Sequence, residues 1–222
     1  MIAPGDLAVI IGLNVIGAAA PGPDVVLITR TATRSRRHGW ATAIGIQTGV
    51  LMWCALTVFG AAALLNAFPD ALTYVQLVGG AVLIAMGASN VRGGLADRHN
   101  PPMTLEEAEQ RLGTVRSAYM RGLATNLANP KIVIALSAMI APLLPPSPSL
   151  STALIVTFAL WLSSFVLFAV FVQVISTQRV RRKFLSAGPY IDIGAGAFFV
   201  IVGLTLIVPV SYTHLRAHET LR

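Results

Sequence analysis

The sequence predicts an all-α membrane protein with six transmembrane helices in two inverted three-helix repeats. Composition, the spacing of apolar stretches and the alternation of basic loops predict it. Of 222 residues, 55% are hydrophobic and 11% charged, against about 25% charged in a soluble domain; mean hydropathy is +0.73. This excludes a disordered, collagen-like or ordinary soluble chain. A single cysteine excludes a disulfide scaffold and a Cys-rich metal centre.

A membrane-crossing helix takes about 20 mostly apolar residues. Six stretches qualify: residues 7–28, 39–65, 71–91, 122–144, 150–177 and 190–210. None alternates at period two, which favours helices over barrel strands. The first is read as a retained span, because no Lys or Arg precedes it as a signal peptide requires.

Thirteen of the sixteen basic residues fall on alternate connections. Arg30, Arg34, Arg36 and Arg37 follow the first span. Arg92, Arg98, Arg111, Arg116 and Arg121 follow the third. Arg179, Arg181, Arg182 and Lys183 follow the fifth. The connections around 66–70 and 145–149 carry none. By the positive-inside rule the basic loops are cytoplasmic and the N-terminus is outside. The net charge of +7 is therefore orienting loop charge facing lipid, with no nucleic-acid partner implied.

Residues 1–91 form the first three-helix repeat and residues 122–210 the second. Residues 92–121 link them. Within the linker, Thr104 and Glu107 form a capping box for a short amphipathic helix through about Leu112. Residues 211–222 hold two of the four histidines and no apolar run. They read as translated cloning sequence, a non-native tail, and His214 and His218 are set aside as metal ligands.

Two features relate the halves. Gly80 to Gly87 and Gly196 to Gly203 both read Gly-Ala, five apolar residues, Gly. The first and fourth spans are each interrupted by proline followed at once by a charge, in Pro21-Gly22-Pro23-Asp24 and Asn129-Pro130-Lys131. Three spans per half place the halves in opposite orientations, and broken helices at matching positions point to a transporter's binding site.

Each proline deprives the carbonyl four residues back of its partner, here those of Gly17, Ala19 and Asn126. Such carbonyls must face protein or a wet cavity. Asp24 and Lys131 are the charges placed well inside the spans, where a charge is functional by default. A free amino acid carries one ammonium and one carboxylate. Asp24 and freed carbonyls complement the first; Lys131, Asn126 and Asn129 complement the second. Asp24 and Lys131 are expected to line one site, to pair when it is empty, and to make Asp24 a candidate proton carrier. Other roles are open: Asp24 is a good N-cap, Lys131 is long enough to snorkel, and the asparagines suit a broken backbone. Asn14 and Gln47 are read as interhelical hydrogen-bonding groups, and Gly45 and Gly49 as a close-packing motif. Asp192 is expected to be wet, and Cys54 an inert apolar residue.

These residues resemble the LysE/RhtB family of bacterial amino-acid exporters over almost the whole chain up to about Pro209. The specific parts are Pro21-Gly22-Pro23-Asp24, the run Gly-Leu-Ala-Thr-Asn-Leu-Ala-Asn-Pro-Lys from Gly122 to Lys131, and residues 34–39 followed by Gly45 and Gly49. The resemblance implies an inner-membrane carrier exporting amino acids, driven by the proton gradient, with both proline motifs flanking the path. The expected site is Pro21, Gly22, Pro23, Asp24, Asn126, Asn129, Pro130 and Lys131, with no cofactor or metal; a homo-oligomer is left open. Two stretches depart from the family. Residues 132–136 are aliphatic where it has an aromatic cluster, and Ala141-Pro142-Leu143 replaces a Pro-Gln-Phe-like stretch.

Other classes fit less well. An intramembrane protease or thiol relay needs His or paired Cys within the spans, and all four histidines lie outside them. A soft-metal exporter needs the same ligands. A scaffold subunit needs no charge at each break.

Overall fold

Apolar runs punctuated by Ser, Thr and Pro become helices, because each backbone group must find its partner within the segment. The computed structural model describes residues 2–20, 22–58, 69–99, 102–129, 131–132, 135–136, 149–184 and 187–219, with the backbone alone for 69–76 and 208–219. Among the described residues there are no strands. The main helices are α1 (Pro4–Ala19), α2 (Pro23–Ala32), α3 (Arg36–Leu56), α4 (Pro69–Asp97), α5 (Leu105–Gln110), α6 (Val115–Leu127), α7 (Leu150–Ile175), α8 (Gln178–Lys183) and α9 (Gly188–Glu219).

Among the described residues, three helices are long and apolar enough to cross a membrane: α3, α7 and the Gly188–Ile207 part of α9. The pair α1 and α2 adds a fourth, bent by 62°. The bend follows from Pro23 at the start of α2, which has no amide hydrogen to continue the helix. Pro21, Pro130 and parts of the second and fourth stretches (59–68, 133–134 and 137–148) lie outside the described residues, as do Asn100, Pro101 and residues 220–222.

Hydroxyl side chains set several helix starts. Ser35, Thr104, Thr114 and Ser149 each accept a backbone N–H in the first turn of α3, α5, α6 and α7. Glu107 reaches back to accept from the Met103 amide at 2.8 Å. After α5 the chain turns through Gly113, the one described residue with positive φ, at 79°.

Packing runs through glycine. An added Cβ at Gly45 would strike the Tyr119 carbonyl, and one at Gly122 the Thr42 carbonyl. At Gly49 it would strike the Asn126 side chain. Thus α3 and α6 touch backbone to backbone, the close packing expected of Gly45 and Gly49. A second glycine seam joins α4 to α9 antiparallel. A Cβ at Gly87 would lie 2.6 Å from the Gly196 carbonyl oxygen, and one at Gly196 would lie 2.6 Å from that of Gly87. Gly80 and Gly203 meet in the same reciprocal way, at 2.8 and 2.6 Å.

The core lies between α2, α3 and α7, around Ile28, Ile46, Val50, Leu160, Phe168 and Val172. Polar groups cross-link the helices around it. Asn14 Nδ2 donates to the Leu160 carbonyl and to Ser163 Oγ, both at 2.9 Å. Ser164 donates to Gln47 Oε1 at 3.1 Å. Both are the interhelical bonds expected of Asn14 and Gln47. Outward faces stay apolar: Ile16, Phe158 and Ile201 are 70%, 58% and 60% exposed, which suits a lipid surround and would be a liability in water.

Candidate functional site

The break between α1 and α2 opens a cavity of about 330 Å³. Its walls come from the end of α1, the start of α2, the residues Asn129, Lys131, Ile132, Ala135 and Leu136, and the middle of α7. Gly22, Asp24, Asn129 and Lys131 line it together with Asn14 and Ser164, and Val25, Val50, Ile132, Leu136 and Phe168 supply an apolar wall. Two broken segments, far apart in sequence, thus face one space.

Asp24 is 7% exposed. Its Oδ2 accepts from Asn126 Nδ2 at 2.9 Å, a buried bond between α2 and α6. Its Oδ1 is buried with no hydrogen-bond partner among the described residues, and so is Asn126 Oδ1. Asn129 stands beside the carboxylate without a well-formed bond to it. The Asn129 side chain instead accepts from the Lys131 amide at 3.2 Å, which ties the backbone of that break.

Lys131 is exposed and lines the cavity. Its Nζ donates to the Ala20 carbonyl at 3.2 Å. The arrangement is crossed: the charge after the first break bonds to the helix before the second, and the charge after the second bonds to the helix before the first.

Three expectations are corrected here. Asp24 and Lys131 are not within ion-pair distance of each other; each is held by a neutral group of the opposite half. The ammonium instead donates to the Ala20 carbonyl, one residue past the end of α1. Asp24 does not cap α2 either. Gly22 is the N-cap, and Asp24 sits inside the first turn with its side chain turned to Asn126. The Asn126 carbonyl is not free, since it accepts from the Asn129 amide at 3.1 Å. Of the remaining expected site residues, Asn126 touches the cavity only through Asp24, Pro23 is buried at the start of α2, and Pro21 and Pro130 are outside the described residues.

A family model for LysE type translocators matches residues 15–209. The chain belongs to that family. The translocator is 27% identical over 198 residues to a threonine efflux protein of Escherichia coli (strain K12), covering 88% of this chain and 94% of the relative. A threonine efflux protein of Salmonella typhi is 25% identical over 201 residues, with the same coverage. An uncharacterized membrane protein of Haemophilus influenzae is 26% identical over 196 residues, covering 88% and 92%. No solved structure gives a significant match.

A second polar centre of the translocator was missed by sequence reasoning. Asp192, expected to be wet, is 2% exposed. Arg30 Nε lies 2.7 Å from its Oδ1 and Arg34 Nη2 lies 2.7 Å from its Oδ2. Both arginines are buried as well, at 6% and 4%. Burial pulls the Arg34 guanidinium below its ordinary value, and the Asp192 charge pushes it back up. The positive-inside rule treats these arginines as solvated loop charges. The overlooked signal is that Asp192 is the sole acidic residue between positions 122 and 210, set against a basic surround that supplies its partners.

Proposed function

We propose that this translocator exports amino acids or close derivatives from the cytoplasm across the bacterial inner membrane, by proton antiport and alternating access. The observation that carries it is the cavity: one buried carboxylate with an unpartnered oxygen and one ammonium, on two broken segments facing the same space. Its volume is at the lower end of the roughly 300–1,000 Å³ of ligand sites, which suits a small zwitterion. Asp24 Oδ1 receives the substrate's ammonium. Lys131 leaves the Ala20 carbonyl to meet its carboxylate, and the kink carbonyl then becomes a second acceptor for the ammonium. The remaining wall is apolar and closes on the side chain.

Asp24 is also the group that carries the returning proton, because a carboxylate takes either a proton or a cationic ammonium, and the two exclude each other. Six spans in two inverted halves provide the motion. The reciprocal glycine contacts support that reading: an axis exchanging the two Gly-Ala motifs maps the Gly87–Gly196 contact onto Gly203–Gly80. Threonine is the first substrate to try, since the named relatives are threonine efflux proteins.

The test is uptake into inside-out vesicles. Export from the cell becomes accumulation in the lumen, driven by an acidic lumen. Accumulation of threonine that collapses with the pH gradient is the expected result. Accumulation indifferent to the gradient removes proton coupling, and failure with a full panel of amino acids removes the substrate class.

A further inference from the structure

The Asp192 centre lies at the basic-loop end of α2, and the cavity at its other end. Along α2, Asp24 lies at the cavity and Arg30 six residues on, about 9 Å at 1.5 Å per residue. Between them Leu27 and Ile28 are fully buried, so packed apolar side chains of α2 lie between the cavity end and the ion pairs. Asp192 belongs to α9 and the arginines to the end of α2 and its loop, so the cluster bridges the two halves of the chain. Arg181 of α8 adds a clasp by donating to the Arg34 carbonyl.

Two buried guanidinium groups share the Asp192 carboxylate, at 2.7 Å each. Asp97, ion-paired with Arg111 at 3.1 Å, adds a weaker attraction on Arg34, and Arg121 is close enough to feel both Arg30 and Asp192. Arg30 Nη1 and Arg34 Nε are buried without a hydrogen-bond partner among the described residues. Gly188 leaves the room that Arg34 fills, since a Cβ there would lie 3.1 Å from Arg34 Nη2. A pair of guanidinium forks with spare donors is a carboxylate receptor, and here the protein's own Asp192 occupies it.

We propose that the Arg30–Asp192–Arg34 cluster is a carboxylate-exchange latch: the two arginines form a second subsite, on the side of the basic loops, which binds either Asp192 or the carboxylate of an incoming small molecule. With Asp192 bound, the halves are locked and that side is shut. A carboxylate arriving from that side competes for the same donors, releases α9 from α2 and enters as the halves part. The identity of that carboxylate, an amino acid's own, rests on the exporter reading; the latch does not.

The test uses full-length protein carrying Cys54→Ala and Val25→Cys, so that the one thiol lines the cavity. A membrane-impermeant thiol reagent is applied to the basic-loop face of inside-out vesicles. Asp192→Ala is expected to label about tenfold faster than its parent, as a latch of this kind shifts the open population. Sodium acetate, against sodium chloride at equal ionic strength, is expected to fill the vacated carboxylate position and return labelling to the parent rate. In the Arg30→Gln, Arg34→Gln, Asp192→Ala variant, which leaves no unpaired charge among these three positions, labelling is expected to stay fast and acetate to do nothing. Parent-rate labelling in both variants overturns the latch. An acetate effect that is absent in Asp192→Ala, or that persists in the triple variant, overturns the carboxylate subsite. An Asp192→Ala protein that folds only in acetate supports the proposal, whereas one that folds in neither salt while the triple variant folds overturns the subsite. If the parent exports no amino acid while the labelling results hold, the exporter reading fails and the latch stands.

Discussion

Two buried aspartates on membrane helices, Asp24 and Asp192, have opposite surroundings. Asp24 is held by one neutral amide and keeps an oxygen without a partner beside a cavity. Asp192 has a guanidinium on each oxygen, both at 2.7 Å, in a packed region where the apolar residues of α2 close in. A buried charge is tolerated when it is fully paired, and is available when it is not. The difference separates the carboxylate that the proposed function assigns to a ligand from one paired between helices.

The comparison breaks most sharply at the paired aspartate. Arg34→Ala strands Asp192 with half its compensation. Removing one partner of a buried pair costs about 3–5 kcal/mol, so the thermal midpoint in detergent is expected to fall sharply. An unchanged midpoint would mean that Asp192 is solvated after all.

At the other aspartate the effect moves from stability to transport. Asp24→Asn keeps the shape and loses the charge. A hydrogen bond to a charged group is worth about 1.5–3 kcal/mol, so efflux is expected to drop about 10- to 100-fold at unchanged folded yield. Full efflux by the variant would remove Asp24 from the substrate and proton path.

The α4–α9 seam is sharpened next. Gly87→Val drives a branched side chain into the Gly196 carbonyl, and overpacking of this kind costs about 1–3 kcal/mol. The expected result is a lower midpoint, with Gly196→Val giving a matching loss because the contacts are reciprocal. Unequal losses would argue against symmetric use of the seam.

The smallest effect is expected at Ser164→Ala, which removes the donor to Gln47 Oε1 and costs about 0.5–1.5 kcal/mol. Because Ser164 also lines the cavity, its transport KM is the second measurement. A KM change with no stability change would make the hydroxyl a substrate contact.

That Asp24 and Lys131 line one cavity was legible, because a charge following directly on proline inside an apolar run has few structural explanations. Their partners were not legible. Reading one zwitterionic site from opposite charges led to an expected ion pair, whereas each charge found a neutral group: Asn126 for Asp24, and the Ala20 carbonyl for Lys131. Which backbone carbonyl is free depends on where the helix stops, and α1 stops at Ala19, a detail of kink geometry that residue types do not encode. Asp192 was misjudged for a similar reason. Proximity to a basic loop suggested water, yet the arginines fold inward to meet it.

By itself the sequence determined the helical class, the proline breaks and the glycines that let helices meet, since these follow from local hydropathy, missing amide hydrogens and missing Cβ atoms. The tertiary structure alone decided which polar groups meet across the bundle. That choice is made between residues more than a hundred positions apart, Asp24 with Asn126 and Arg30 with Asp192, and it depends on how the helices dock and bury their charges rather than on any local pattern.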